Sequence, residues 1–126
     1  MLNEKNAVLT HIWECEAKCG LPEIEKFCAE NASKYVFELN EEGTIRFEWF
    51  IATDNKTVTL IETFTNGAAA KVRIGNHMGS HLLDEFPEVF DLKKLIVLGD
   101  IDPEMEETYA AFQADVRPKI GGFLKG

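Results

Sequence analysis

The sequence predicts a single α+β domain spanning all 126 residues: a ferredoxin-like βαββαβ order with a four-stranded antiparallel sheet, followed by an extra C-terminal helix and a tail. Three observations carry the prediction. Thr44 to Phe64 alternates β-branched and aromatic residues with polar ones on both sides of Asp54-Asn55-Lys56, the pattern of a β-hairpin. An alternating run followed by a helical period precedes it, and a second helical period followed by an apolar run comes after it. The chain is also long enough to bury one core without staples.

Taken in order, Ala7 to Ala17 reads as the first strand, with Leu9, His11, Trp13 and Cys15 on one face and Val8, Thr10 and Ile12 on the other. Gly20-Leu21-Pro22 breaks it, and Pro22 suits the first turn of a helix, where its missing N–H has no intrahelical partner. Ile24, Phe27, Cys28, Asn31, Tyr35 and Leu39 then recur at helical spacing, with Glu23, Glu25, Lys26, Glu30 and Lys34 on the remaining face. This helix is expected to end before Glu41-Glu42-Gly43. The hairpin supplies strands two and three: Ile45, Phe47, Trp49 and Ile51 share one face of the first, Arg46, Glu48, Phe50 and Ala52 the other.

Asn66 is a good N-cap for the alanine-rich helix that follows, and Gly75 and Gly79 weaken its far end. Ser80 caps a short helical piece from His81 to Phe86, which Pro87 is expected to stop. Leu92 to Gly99 reads as a strand buried on both faces. Asp102-Pro103 with Glu104, Glu106 and Glu107 starts the extra helix, whose apolar stripe is Met105, Tyr109 and Phe112. Arg117 to Gly126 is read as an irregular or extended tail.

Right-handed crossovers put both main helices on one side of the sheet. Strands one, two and four nevertheless carry apolar residues on both faces, so a homodimer packed sheet against sheet is expected. A formal net charge of −9 and a pI near 4.8 argue against nucleic acid and against an anionic membrane surface, leaving small organic ligands or protein partners. No apolar run reaches the length of a membrane span and no secretory leader pattern opens the chain, so a soluble, cytoplasmic protein is expected. Cys15, Cys19 and Cys28 make an odd count suited to free thiols. Four residues of strand span roughly 13 Å, so Cys15, Cys19 and His11 do not converge on a metal.

Glu48-Trp49-Phe50, Glu62-Thr63-Phe64, Asn66, the alanine-rich helix start, His81 and the run Pro118-Lys119-Ile120-Gly121-Gly122-Phe123 together resemble the antibiotic biosynthesis monooxygenase family of dimeric α/β barrel proteins, and its quinol monooxygenase branch in particular. The resemblance covers most of the chain after Gly43. It implies a homodimer whose sheets close a barrel, a pocket in each protomer between helices and sheet, and oxidation of phenolic or quinol-like aromatics by O₂ without metal, flavin or haem. Thr63 stands where that branch has Arg, and Arg73 lies near a position where relatives often have His.

Chemistry of that kind needs a base near neutral pH inside an apolar pocket. His81 is the first candidate, with Asn76 and His77 orienting substrate or oxygen, Trp49 and Trp13 as pocket walls and His11 as a further pocket residue. The plainer readings are surface or capping histidines for His77 and His81, a packed hydrogen-bonded histidine for His11, and ordinary core for the aromatics. His77, His81 and Glu85 fall at i, i+4 and i+8, but Gly79-Ser80 interrupts the helix and eight helical residues already span about 12 Å, so no metal site is expected. Glu48 and Glu62 sit in strands among apolar neighbours, a costly place for a carboxylate without a partner such as Arg46 or Lys71. The alternative to an enzyme is a non-catalytic dimer of the same fold that binds a small ligand or a protein.

Overall fold

The computed structural model describes residues 6–125; Gly126, the last residue of the expected tail, lies outside them. The fold is α+β, built on one mixed five-stranded sheet of order β2-β3-β1-β4-β5. Its strands are β1 (Leu9–Ala17), β2 (Thr44–Ile51), β3 (Thr57–Phe64), β4 (Phe90–Leu98) and β5 (Asp115–Arg117). The first four strands pair antiparallel throughout, in the expected βαββαβ order. The expectation of four antiparallel strands is corrected by β5, which lies parallel to β4 from Ile96 to Leu98. Gln113, at φ 54, turns the chain out of the last helix, and Val116 packs on Leu95 and Val97's cluster, so a short segment reaches the free edge of β4.

The first helical region joins α1 (Leu21–Glu25), a π-helical stretch Lys26–Ser33 and α2 (Lys34–Glu38). Ser33 Oγ donates to Cys28 O across this wider turn. The stripe projected at regular helical spacing is corrected accordingly: Ile24, Phe27 and Cys28 are buried, but Ala32 and Val36 take the inward places expected of Asn31 and Tyr35, and Leu39 is exposed.

Asn66 caps α3 (Gly67–Met78) by accepting the Ala69 N–H at 2.9 Å. After the break at Gly79-Ser80, α4 (Leu82–Val89) runs through Pro87 and leads straight into β4, two residues earlier than Leu92. Pro87 is tolerated because it forfeits one bond near the end of a short helix whose Leu82, Phe86 and Val89 pack on the core. A 3₁₀ turn Pro103–Met105 opens α5 (Glu106–Ala111). Among the described residues no helix is long and apolar enough to cross a membrane.

Register explains which sheet face is buried. Leu9, His11, Trp13 and Cys15 of β1 stand opposite Phe64, Glu62, Leu60 and Val58 of β3, and His11 and Trp13 stand opposite Val97 and Leu95 of β4. Residues of this face meet the helices in two apolar clusters, with Trp13 packed against both. The opposite face, carrying the row Ile61-Ile12-Ile96 with Thr10, Thr59 and Thr63, adds no residue to either cluster. β4 is therefore buried mainly on the face of Phe90, Leu95 and Val97, whereas Leu98, opposite Thr10 on the other face, is exposed. Gly99, at φ 127, closes β4 where any side chain would run into Leu9 and the Val8 carbonyl.

Candidate functional site

Between the helices and the buried sheet face lies a cavity of about 400 Å³, within the range of small-molecule sites. Its walls are largely aromatic. Trp49 stacks on Phe90 with centroids 5.7 Å apart and 20° between planes, Phe27 meets the Trp49 ring edge-on at 6.0 Å, and Phe86 packs on Phe27 and Phe90. Phe112 stands edge-on to Trp13 at 5.3 Å on the far side. The alternation of β1, β2 and β3 points Trp13, Phe47, Trp49, Leu60 and Glu62 at this space, while α4 turns Leu82 and Phe86 toward it.

Glu62, Arg73 and His77 share these walls, and Lys18 and Asp91 also line the cavity. Arg73 and His77 are four residues apart on α3 and so lie on one helix face. His77 meets Phe86 edge-on at 6.5 Å. Burial, then the positive charge of Arg73, hold its imidazole below the usual histidine range, with Glu62 pulling the other way. Arg73 is buried against Glu41, Nη1 to Oε2 3.3 Å, and Glu41 also accepts from Asn76 Nδ2 at 2.7 Å and Thr44 Oγ1 at 3.0 Å.

Glu62 is a buried charge, 5 % exposed. Its partners are neither Arg46, which pairs with Glu48 at the surface, nor Lys71, which reaches Glu104. Instead Trp13 Nε1 donates to Glu62 Oε1 at 2.5 Å and His11 Nδ1 lies 3.5 Å from the same oxygen. Behind the cavity wall, His11 Nε2 and Tyr109 Oη are 2.8 Å apart. Burial, with the negative charges of Glu62 and Asp102, pushes the Tyr109 phenol up to about 12. The indole N–H of Trp49 is buried with no partner among the described residues.

Of the residues singled out from sequence, Trp13, Trp49 and His77 line the cavity and His11 backs its wall. Asn76 points away, committed to Glu41. His81 lies outside the cavity: it is exposed, with its ring edge-on to Tyr35 at 4.8 Å, because the break at Gly79-Ser80 turns it off the face that carries His77. Arg73, Phe27, Phe86 and Phe90 were not proposed as site residues. For the first of them the sequence held one signal, its place near a position where relatives of the resembled family often have His.

No protein-family model matches the sequence, and no curated protein sequence matches it. Among solved structures, that of MupZ from Pseudomonas fluorescens superposes with a TM-score of 0.82 at 12% identity, covering 99% of this chain and 94% of MupZ. The two share a fold. Protein SO0527 from Shewanella oneidensis matches more loosely, with a TM-score of 0.48 at 21% identity over 74% of this chain and 88% of that one.

Proposed function

We propose that this chain is a cofactor-independent monooxygenase of the antibiotic biosynthesis monooxygenase kind, acting as a homodimer and oxidising a small phenol- or quinol-like aromatic with O₂ in the cavity. The observation that carries the reading is an imidazole held below its usual range in an aromatic-walled space of about 400 Å³. Such a group is neutral at neutral pH and ready to accept a proton. His77 therefore takes the base role first considered for His81. It removes the ligand's hydroxyl proton, and the Arg73 charge one turn away favours the anion that results. The electron-rich anion reduces O₂; one oxygen atom stays on the aromatic as a carbonyl and the other leaves as water with two hydrogens of the substrate. Aromatic walls bind the ring and keep bulk water from the reacting centre.

Oxygen uptake over a panel of quinols, anthrones and naphthols tests this. Uptake is expected with at least one compound, slowed about 10²-fold or more in His77→Ala and unchanged in His81→Ala. Absence of uptake, or full activity without His77, counts against it. A second reading, a non-catalytic ligand-binding module, draws on the fact that Arg73 and Glu62 are both already engaged by neighbours. Saturable binding without oxygen consumption would favour that reading.

A further inference from the structure

Glu62 is a carboxylate that the protein has half used. Its one hydrogen bond, from Trp13 Nε1, falls on Oε1, and His11 Nδ1 lies 3.5 Å from the same oxygen without bonding to it. Its other oxygen, Oε2, has no hydrogen-bond partner among the described residues, although Glu62 lines the cavity and is 5 % exposed. Among the described residues the fully buried side-chain atoms without a partner belong to His11, Trp49 and Glu85, so Oε2 opens on the cavity, where a ligand hydroxyl can donate to it.

We infer that Glu62 selects the ligand: Oε1 is held by the Trp13 N–H, and Oε2 accepts a hydrogen bond from a hydroxyl of an aromatic alcohol seated in the cavity, other than the hydroxyl that His77 deprotonates in turnover. This rests on the reading of the cavity as an aromatic-binding site and deepens it. An ether or a ketone of the same shape has no proton to offer and leaves Oε2 unpaired.

The groups behind Glu62 fit this assignment. His11 Nδ1 faces Oε1 at 3.5 Å without a hydrogen bond. Its Nε2 and the Tyr109 hydroxyl are hydrogen-bonded at 2.8 Å. Tyr109 is kept protonated by its burial, which suits a donor. Trp13, His11 and Tyr109 thus act as positioning residues: they hold one carboxylate oxygen so that the other is presented at a fixed angle. With Oε1 tied to the Trp13 N–H, a glutamine at this place would turn its NH₂ toward the ligand and reverse the polarity of the contact.

The test compares binding of 1-naphthol and 1-methoxynaphthalene by titration calorimetry, in the wild type, Glu62→Gln and Tyr109→Phe. The wild type is expected to bind the naphthol about tenfold or more tightly than the ether, the worth of a hydrogen bond to a charged group. In Glu62→Gln that ratio falls to near one while affinity for the ether holds. In Tyr109→Phe it narrows with ether affinity again unchanged, a readout that loss of packing alone would not produce, and this variant keeps the test open if Glu62→Gln does not fold. Equal binding of the two compounds by the wild type, or an undiminished ratio in Glu62→Gln, overturns the assignment and leaves the cavity reading standing. Failure of both compounds to bind overturns the cavity reading and this inference together.

Discussion

His11 Nε2 lies 2.8 Å from Tyr109 Oη, a bond between the first strand and the last helix across 98 residues of sequence, with both side chains closed to solvent. Removing the hydroxyl by Tyr109→Phe leaves His11 with an unmet buried nitrogen. The expected loss is about 1–3 kcal/mol of folding stability, read as a lower urea midpoint at unchanged slope. An unchanged midpoint would remove this bond from the account of the core.

His77 gives a pH dependence of definite sign. Its folded pKa is lowered from 6.5, so below about pH 6.5 the unfolded chain binds the proton that the folded chain refuses. The contribution of this group is fully present above the ordinary histidine pKa and is lost as pH falls through 6.5 toward the folded value. The His77→Gln variant is expected to show a flatter fall in stability over that window, measured by denaturation at a series of pH values. The acid limb of any activity profile is expected below pH 6.5 for the same reason.

The thiols are ranked by burial. Cys15 and Cys28 are pushed up to about 12 by desolvation, whereas Cys19 is half-exposed. At pH 8 a thiol reagent is expected to label Cys19 alone in the folded protein and all three cysteines in denaturant. Mass mapping of the labelled peptides checks this; early modification of Cys15 would contradict it.

The proposed dimer has its own test. Ile61 stands opposite Ile12, and Ile12 opposite Ile96, on the sheet face that no helix cluster uses. Light scattering is expected to give the mass of two chains for the wild type and of one for Ile61→Glu, with far-ultraviolet circular dichroism unchanged. A monomeric wild type would withdraw the sheet-to-sheet pairing.

Much of this fold was legible because alternation and burial speak the same language. Leu9, His11, Trp13 and Cys15 were assigned one face of a strand, and that face is inward along its length. β5 was not legible: three residues carry no period of their own, and the free edge of β4 decides where they lie. Pro87 misled because its penalty was weighed without the apolar contacts of Leu82, Phe86 and Val89. At the site, histidine count could not separate His77 from His81, since only the turn between them says which faces the cavity. Glu62 was recognised as an expensive carboxylate, but its donor, an indole on the neighbouring strand, becomes visible only with the register.

The widened turn at Lys26–Ser33 has a consequence for chain length. Ile24, Cys28, Ala32 and Val36 are all buried at strict intervals of four, yet an α-helix advancing about 100° per residue would drift by roughly 120° over those twelve steps. Underwinding cancels the drift. A single-residue deletion inside the stretch would let it tighten to an α-helix, and eleven steps of about 100° would still bring Val36 to within about 20° of the core-facing side. Natural length variation between the first two strands should therefore include loss of one residue from this segment, with larger changes collecting in the loop after Glu38.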